Sequence, residues 1–214
     1  DSNGRIGGTA TVLGSTNHSV IATNSGGSAS AEIQITVVDE APSLWYAALG
    51  NSALTLSKGI AMQPLMATSS QGPVITCISQ PQLPSGLELV SNCNIEGTAT
   101  VLLNQTDFLI TGSNSGGTSQ YNLTLTINDQ PLSNMLYGVG NYTFAKQVDA
   151  VDIEPSYDGG VALLWEIQPQ LPTGISFNQS SGAITGIALD VHPTTTYTIL
   201  ANNTGGTGMA SLTL

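Results

Sequence analysis

Apolar and polar residues alternate on both sides of three glycine turns. Ahead of the turns the apolar positions are Val20 and Ala22, Phe108 and Ile110, and Tyr197 and Ile199. Beyond them come Ile33, Ile35 and Val37, then Tyr121, Leu123, Leu125 and Ile127, then Ala210, Leu212 and Leu214. A period of two places every second side chain on one face, the pattern of a half-buried β-strand. Each turn joins an Asn to paired glycines (Asn24 to Gly27, Asn114 to Gly117, Asn203 to Gly206). These residues accept the positive φ values of a tight hairpin. The pattern therefore predicts three β-hairpins, and no stretch carries a helical period.

The hairpins recur at fixed intervals. Asn24 and Asn114 are 90 residues apart, Asn114 and Asn203 are 89 apart, and Gly8, Gly97 and Gly186 are spaced by 89. A unit of this length matches one β-sandwich and exceeds the repeats of solenoids. Asp39 to Pro42 and Asn128 to Pro131 follow equivalent exit strands, and proline there stiffens a connection without donating to a ladder. Three segments are expected. Residues 1–40 hold only the back half of a sandwich and should be its least stable, most exposed part. Residues 41–128 form a complete sandwich, with strands predicted around Leu54–Lys58, Val74–Ile78, Gly86–Leu89 and Ile95. Residues 129–214 repeat it around Tyr142–Lys146, Val161–Trp165, Gly174–Phe177 and Ile184, and end slightly trimmed.

Composition narrows the partners. The formal charge is -11, from 14 acidic and 3 basic residues, and only 8% of residues are charged while 40% are apolar. Without clustered Lys and Arg the chain is not expected to bind nucleic acid or an anionic membrane surface. No run of about 18 apolar residues could span a bilayer, so no membrane insertion is expected in this segment. The start at Asp1, with no signal-like stretch, reads as a piece of a longer exported polypeptide. Cys77 and Cys93 fall in one repeat and lack counterparts in the others. In an exported protein they would close a short loop as a disulfide worth roughly 3 kcal/mol; two small buried thiols are the other reading.

The motifs Gln82 to Leu89 followed by Ile95 to Thr98, and Gln170 to Phe177 followed by Ser181 to Gly186, resemble a family signature, as does the hairpin Tyr197 to Gly206. The family is that of Ig-like, cadherin-like tandem repeats of very large secreted or surface proteins of bacteria, archaea and some protists. The hairpin wording is particularly similar to repeats in surface proteins of marine planktonic archaea. The resemblance implies an all-β fold of tandem Ig-like (cadherin-like) β-sandwich modules and a place outside the cell, at its surface. It also implies a non-enzymatic structural or adhesive role, as stalk or surface-layer spacer. Neighbouring repeats of the same chain, other surface proteins or glycans would be the partners. The alternative is a carbohydrate-binding or accessory module of a larger exported enzyme. The family's proline is replaced at Ala99 and Ala188, and Cys93 and Asn94 stand where it has Thr-Gly.

Candidate chemistry is sparse. Cadherin-like modules often bind Ca²⁺ through carboxylates and carbonyls. Linker acids Asp39, Glu40 and Asp129 stand in suitable places, and Asp149, Asp152, Glu154 and Asp158 form a denser cluster; a merely solvated acidic loop is the competing reading. Lys58 and Lys146 occupy equivalent positions, either as strand-end charges or as partners in a Lys–Asn cross-link. Six glycosylation sequons occur, at Asn17, Asn104, Asn122, Asn141, Asn178 and Asn202, though this composition produces several by chance. His18 and His192 do not align between repeats, and no nucleophile elbow or zinc spacing is present. Trp165 reads as core, whereas Trp45 and Tyr46 read as the better exposed aromatic pair. No catalytic residue and no cofactor are expected, Ca²⁺ aside.

Overall fold

A computed structural model describes residues 4–214. Residues 1–3 of the first expected segment lie outside them. Every regular element is a strand: β1 (Gly14–Asn24), β2 (Gly27–Val37), β3 (Leu44–Trp45), β4 (Leu54–Ser57), β5 (Thr68–Ser69), β6 (Thr76–Gln80), β7 (Leu87–Leu89), β8 (Ile95–Gly97), β9 (Leu103–Asn114), β10 (Gly117–Asn128), β11 (Ser133–Leu136), β12 (Ala150–Ile153), β13 (Ser156–Asp158), β14 (Leu164–Gln168), β15 (Ile175–Phe177), β16 (Ile184–Ile187), β17 (Thr196–Asn203) and β18 (Gly206–Thr213).

In the middle of the chain one sheet runs β4-β10-β9-β6, and the facing layer is built from the pairs β3-β5 and β7-β8. The bridge Leu65↔Ile95 ties those two pairs together. The C-terminal third repeats the plan, with β14-β17-β18 facing β12-β16-β15 and β11-β13. The two interiors are separate. Leu44, Tyr46, Ile95, Phe108, Ile110, Leu123, Leu125 and Ile127 gather in one cluster, and Tyr137, Val151, Trp165, Ile184, Ile199 and Leu212 in the other. The alternating residues seen in the sequence are the ones that face inward, since Leu123, Leu125 and Ile127 are buried while their neighbours along β10 are not. No charged side chain is buried among the described residues.

Glycine permits the facing strands to close. A Cβ on Gly97 would lie 2.2 Å from the Gly86 carbonyl oxygen, and one on Gly186 would lie 2.1 Å from that of Gly174. No side chain can occupy either place, which is the physical content of the glycines repeated at 89 residues.

The first segment is a lone hairpin, β1 paired with β2 from Gly14↔Val37 to Asn24↔Gly27. Ile21 and Ile35 are exposed, and among the described residues no second sheet covers them. One expected strand is missing further on: residues 142–146 align with β4 but carry no strand pairing past Asn141.

Tyr197, at the place of Phe108 one repeat earlier, is fully buried, and its hydroxyl has no partner in hydrogen-bonding geometry. Replacing it with the residue of the other repeat, Tyr197→Phe, removes the desolvated hydroxyl and should stabilise the C-terminal sandwich by up to about 1 kcal/mol in urea unfolding. A loss of stability would contradict this account.

Candidate functional site

The repeated glycine turns do more than reverse the chain. At the end of β9, Asn114 Nδ2 donates to the Glu40 carbonyl at 2.7 Å and to the Pro73 carbonyl at 2.9 Å. Its Oδ1 accepts from the amides of Gly116 and Gly117 at 2.8 and 3.1 Å. Ser115 Oγ accepts from the Asp39 amide at 2.9 Å and donates to Asp39 Oδ2 at 2.7 Å. Gly116 lies so close to the linker that a Cβ there would stand 2.0 Å from the Asp39 carbonyl oxygen. Thus one amide side chain closes the turn with its oxygen and grips the linker with its nitrogen.

The next joint is built the same way. Asn203 Nδ2 donates to the Gln130 carbonyl at 2.8 Å, and its Oδ1 accepts from Gly205 and Gly206 at 2.8 and 3.1 Å. Thr204 Oγ1 accepts from the Asp129 amide at 2.8 Å. A Cβ on Gly205 would come within 2.2 Å of the Asp129 carbonyl oxygen. Gln130 is held from the other side too, its Nε2 donating to the Lys58 carbonyl of the middle sandwich at 3.2 Å. At the first hairpin Asn24 Oδ1 accepts from Gly26 at 2.8 Å, and among the described residues its side chain grips no linker.

A second repeated device crosses each sandwich. In the middle one Cys77 on β6 is disulfide-bonded to Cys93, whose Cα lies 5.2 Å away in the β7–β8 turn. Cys93 has φ 66°, and its carbonyl accepts from the buried Tyr46 hydroxyl at 2.5 Å. In the C-terminal sandwich the corresponding places hold Trp165 and Gly182. The Trp165 ring lies against Gly182, where a Cβ would fall 2.6 Å from Cε3. Gly182 has φ 77°, and its carbonyl accepts from the buried Tyr137 hydroxyl at 2.7 Å. The cysteines therefore do have spatial counterparts, of different chemistry. Burial raises both phenols well above their ordinary pKa; Tyr121 adds to the effect at Tyr46, and Glu154 at Tyr137.

The remaining candidates are scattered. Asp149 Oδ2 accepts from the Ala145 amide at 2.7 Å and Asp158 Oδ2 from Asn134 Nδ2 at 2.7 Å. Asp152 lies on β12, and Glu154 follows it. Among the described residues no three His, Cys, Asp or Glu side chains gather where a metal ion could be held. Linker acids Asp39 and Asp129 are engaged by the turns through their backbone amides, and Glu40 through its carbonyl. Lys146 pairs with Asp190 at 3.8 Å. His18 bonds to Thr16, and His192 to Thr195 and the Pro193 carbonyl. Asn17, Asn104, Asn122, Asn141 and Asn178 are exposed; Asn178 caps a turn, and Asn202 accepts from Thr207 Oγ1 at 2.5 Å. Trp165 is 1% exposed, as a core residue should be, and Trp45 is 47% exposed. Tyr46 departs from the sequence expectation: the strand's alternation turns it inward to 0% exposure, where its hydroxyl reaches Cys93.

The sequence profile of a family described as "Putative Ig domain" matches residues 136–214, the C-terminal sandwich almost entirely. No curated protein matches the chain in sequence. Among solved structures, the chain is similar to the N-terminal four Ig domains of Dscam1 isoform 7.44, at 15% identity, with 81% of this chain and 46% of that one covered and a TM-score of 0.42. It is also similar to three Ig domains of titin, at 12% identity, with 92% and 72% covered and a TM-score of 0.46. The chain spans about half the length of the Dscam1 structure. The fold is all-β, of tandem Ig-like β-sandwiches.

Two outcomes follow for stability. Removing the disulfide by Cys77→Ala with Cys93→Ala should cost the middle sandwich about 2–4 kcal/mol in urea unfolding, through freeing a loop of sequence separation 16, and leave the C-terminal transition in place. Equal loss in both transitions would contradict the assignment. The phenols set an alkaline limit. Because the folded state raises the pKa of Tyr46 and Tyr137, their contribution is complete below the unfolded value near 10 and falls as pH rises past it. Denaturation at stepped pH should show a decline beginning above about pH 10, shallower in Tyr46→Phe and Tyr137→Phe; an unchanged slope in both variants would refute it.

Proposed function

We propose that this chain is a non-enzymatic segment of an extracellular structural or adhesive repeat protein, serving as a semi-rigid stalk or surface spacer. The observation that carries this reading is the Asn-gripped linker, present at both joints with the same donor, the same acceptor type and the same closely approaching glycine. A connection meant to be flexible needs no such grip.

Bending the second joint works against the bonds that hold its linker, since Asn203 fixes Gln130 to the C-terminal sandwich and Gln130 Nε2 reaches the Lys58 carbonyl of the middle one. Two or three such bonds at about 1 kcal/mol each leave a bent population of roughly 0.5–3 per cent. The joint is then straight most of the time yet yields under load, which suits a spacer that holds a partner-binding region away from a surface. The acidic exterior, with no charged side chain buried among the described residues, favours solubility and keeps like chains apart. Neighbouring repeats of the same chain are the first partners in this reading, and other surface proteins or glycans would engage at its ends. Such a protein works without catalytic residue or cofactor.

Asn203→Asp tests this, because a carboxylate keeps the size of the side chain and loses the donor, so it faces the Gln130 carbonyl with repulsion. In small-angle scattering with ¹⁵N relaxation, the native middle and C-terminal sandwiches should tumble together, and those of Asn203→Asp should separate into two correlation times. Independent tumbling of the native sandwiches would overturn the stalk reading. So would a variant in which joint tumbling is unchanged.

A further inference from the structure

The two sandwiches treat one sheet edge differently. β6 is the outermost strand of β4-β10-β9-β6, and β14 takes its place in the C-terminal repeat. Cys77 lies opposite Gly112 as Trp165 lies opposite Ala201. The Trp165 amide points away from β17 and donates to the Gln179 carbonyl, in the turn between β15 and β16, at 3.0 Å. Glu166, exposed at the next position, adds a charge to the same edge. A covered amide and an acid both keep a sheet edge from accepting another strand.

β6 has neither. Val90 and Asn94 close the β7–β8 turn at 3.0 Å around residues 91–93, whereas Asn178 and Ala183 close theirs at 2.8 Å around residues 179–182. The shorter turn sends no carbonyl to the Cys77 amide. By the parity of Trp165, the amides of Cys77 and Ser79 point away from β9, and among the described residues neither bonds to anything outside the sheet. Ile78, 64% exposed, stands at the place of Glu166, and β6 carries no charged residue. Pro81 follows the strand, so the open edge is short.

We propose that the β6 edge is a self-association site, occupied by β6 of a second copy laid antiparallel across a two-fold axis at Ile78. The two Ile78 side chains then face each other as a non-hydrogen-bonded pair. Cys77 and Ser79 of one copy exchange N–H···O bonds with Ser79 and Cys77 of the other. Charge selects this partner. At a net charge of -11 copies repel at long range, and an uncharged edge is where two of them can meet. An acid on the axis, as Glu166 would be in β14, would set like charges opposite each other. Such a pairing is isologous, so it closes at two copies and joins two stalks side by side. It uses neither linker, so its failure leaves the reading of the joints untouched.

Sedimentation equilibrium of the full chain up to about 1 mM should show monomer and dimer, with the dimer tightening as salt is raised. Ile78→Glu copies the guarded edge and should weaken the dimer about tenfold or more. Thr185→Glu, which adds the same charge to the exposed face of β16, should leave it as in the native chain. Amide hydrogen exchange at Cys77 and Ser79 should slow as protein concentration rises in the native chain and not in Ile78→Glu, while Ile167, the counterpart of Ser79, should not respond in either. Urea unfolding of dilute Ile78→Glu reports that its middle sandwich is folded. A native chain that stays monomeric at the highest concentration and salt would overturn the proposal. So would a dimer that forms equally in Ile78→Glu, or one that leaves exchange at Cys77 and Ser79 unchanged.

Discussion

A peptide carbonyl in a linker between two sandwiches has no strand beside it, and the proline of the linker offers no N–H in return. The Glu40 carbonyl is met by the Asn114 side chain, and the Gln130 carbonyl by the Asn203 side chain together with the Gly160 amide at 3.1 Å. Much of the architecture follows from this bond. The Asn must stand at the end of its strand, so the hairpin register is fixed to the residue. The glycine two places on must lack a Cβ, because the linker backbone passes where that atom would be. A leading-edge turn that also had to fold tightly could hardly be built from other residues. Asn is suited because its oxygen caps the turn while its nitrogen keeps two donors for carbonyls outside it.

Inside each sandwich a different problem has two answers. The strand that begins with Thr76, and its counterpart at Leu164, must be held to the turn on the opposite sheet. In the middle sandwich a disulfide does this; in the C-terminal one an indole ring rests on a glycine. Both turns keep a left-handed residue and both present its carbonyl to a buried tyrosine hydroxyl. The backbone solution is thus retained while the side-chain solution changes. Trp165 fits only because Gly182 has no side chain, so neither half of the pair can be exchanged alone.

The strands, the hairpins and the all-β class were legible because period two and glycine turns act over a few residues. So was the burial of Trp165, on the same alternation. The grip on the linkers was not legible, since Asn and paired glycines already suffice for a hairpin and nothing nearby marks a second bond some 74 residues away. Tyr46 was read as exposed because it follows a proline linker; its inward turn depends on β5 and on a carbonyl contributed by Cys93. The strand expected at Tyr142–Lys146 failed to pair for a related reason. Its pattern is that of a strand, but a strand is completed only by a neighbour.

The most direct measurement is the distance distribution between two spin labels on the native chain, one at exposed Asp107 in the middle sandwich and one at exposed Glu166 in the C-terminal one. A joint held by Asn203 and Gln130 gives one narrow peak that stays narrow with added salt, because the bonds that hold it are not between exposed charges. A broad distribution in the native chain would contradict the account at its foundation.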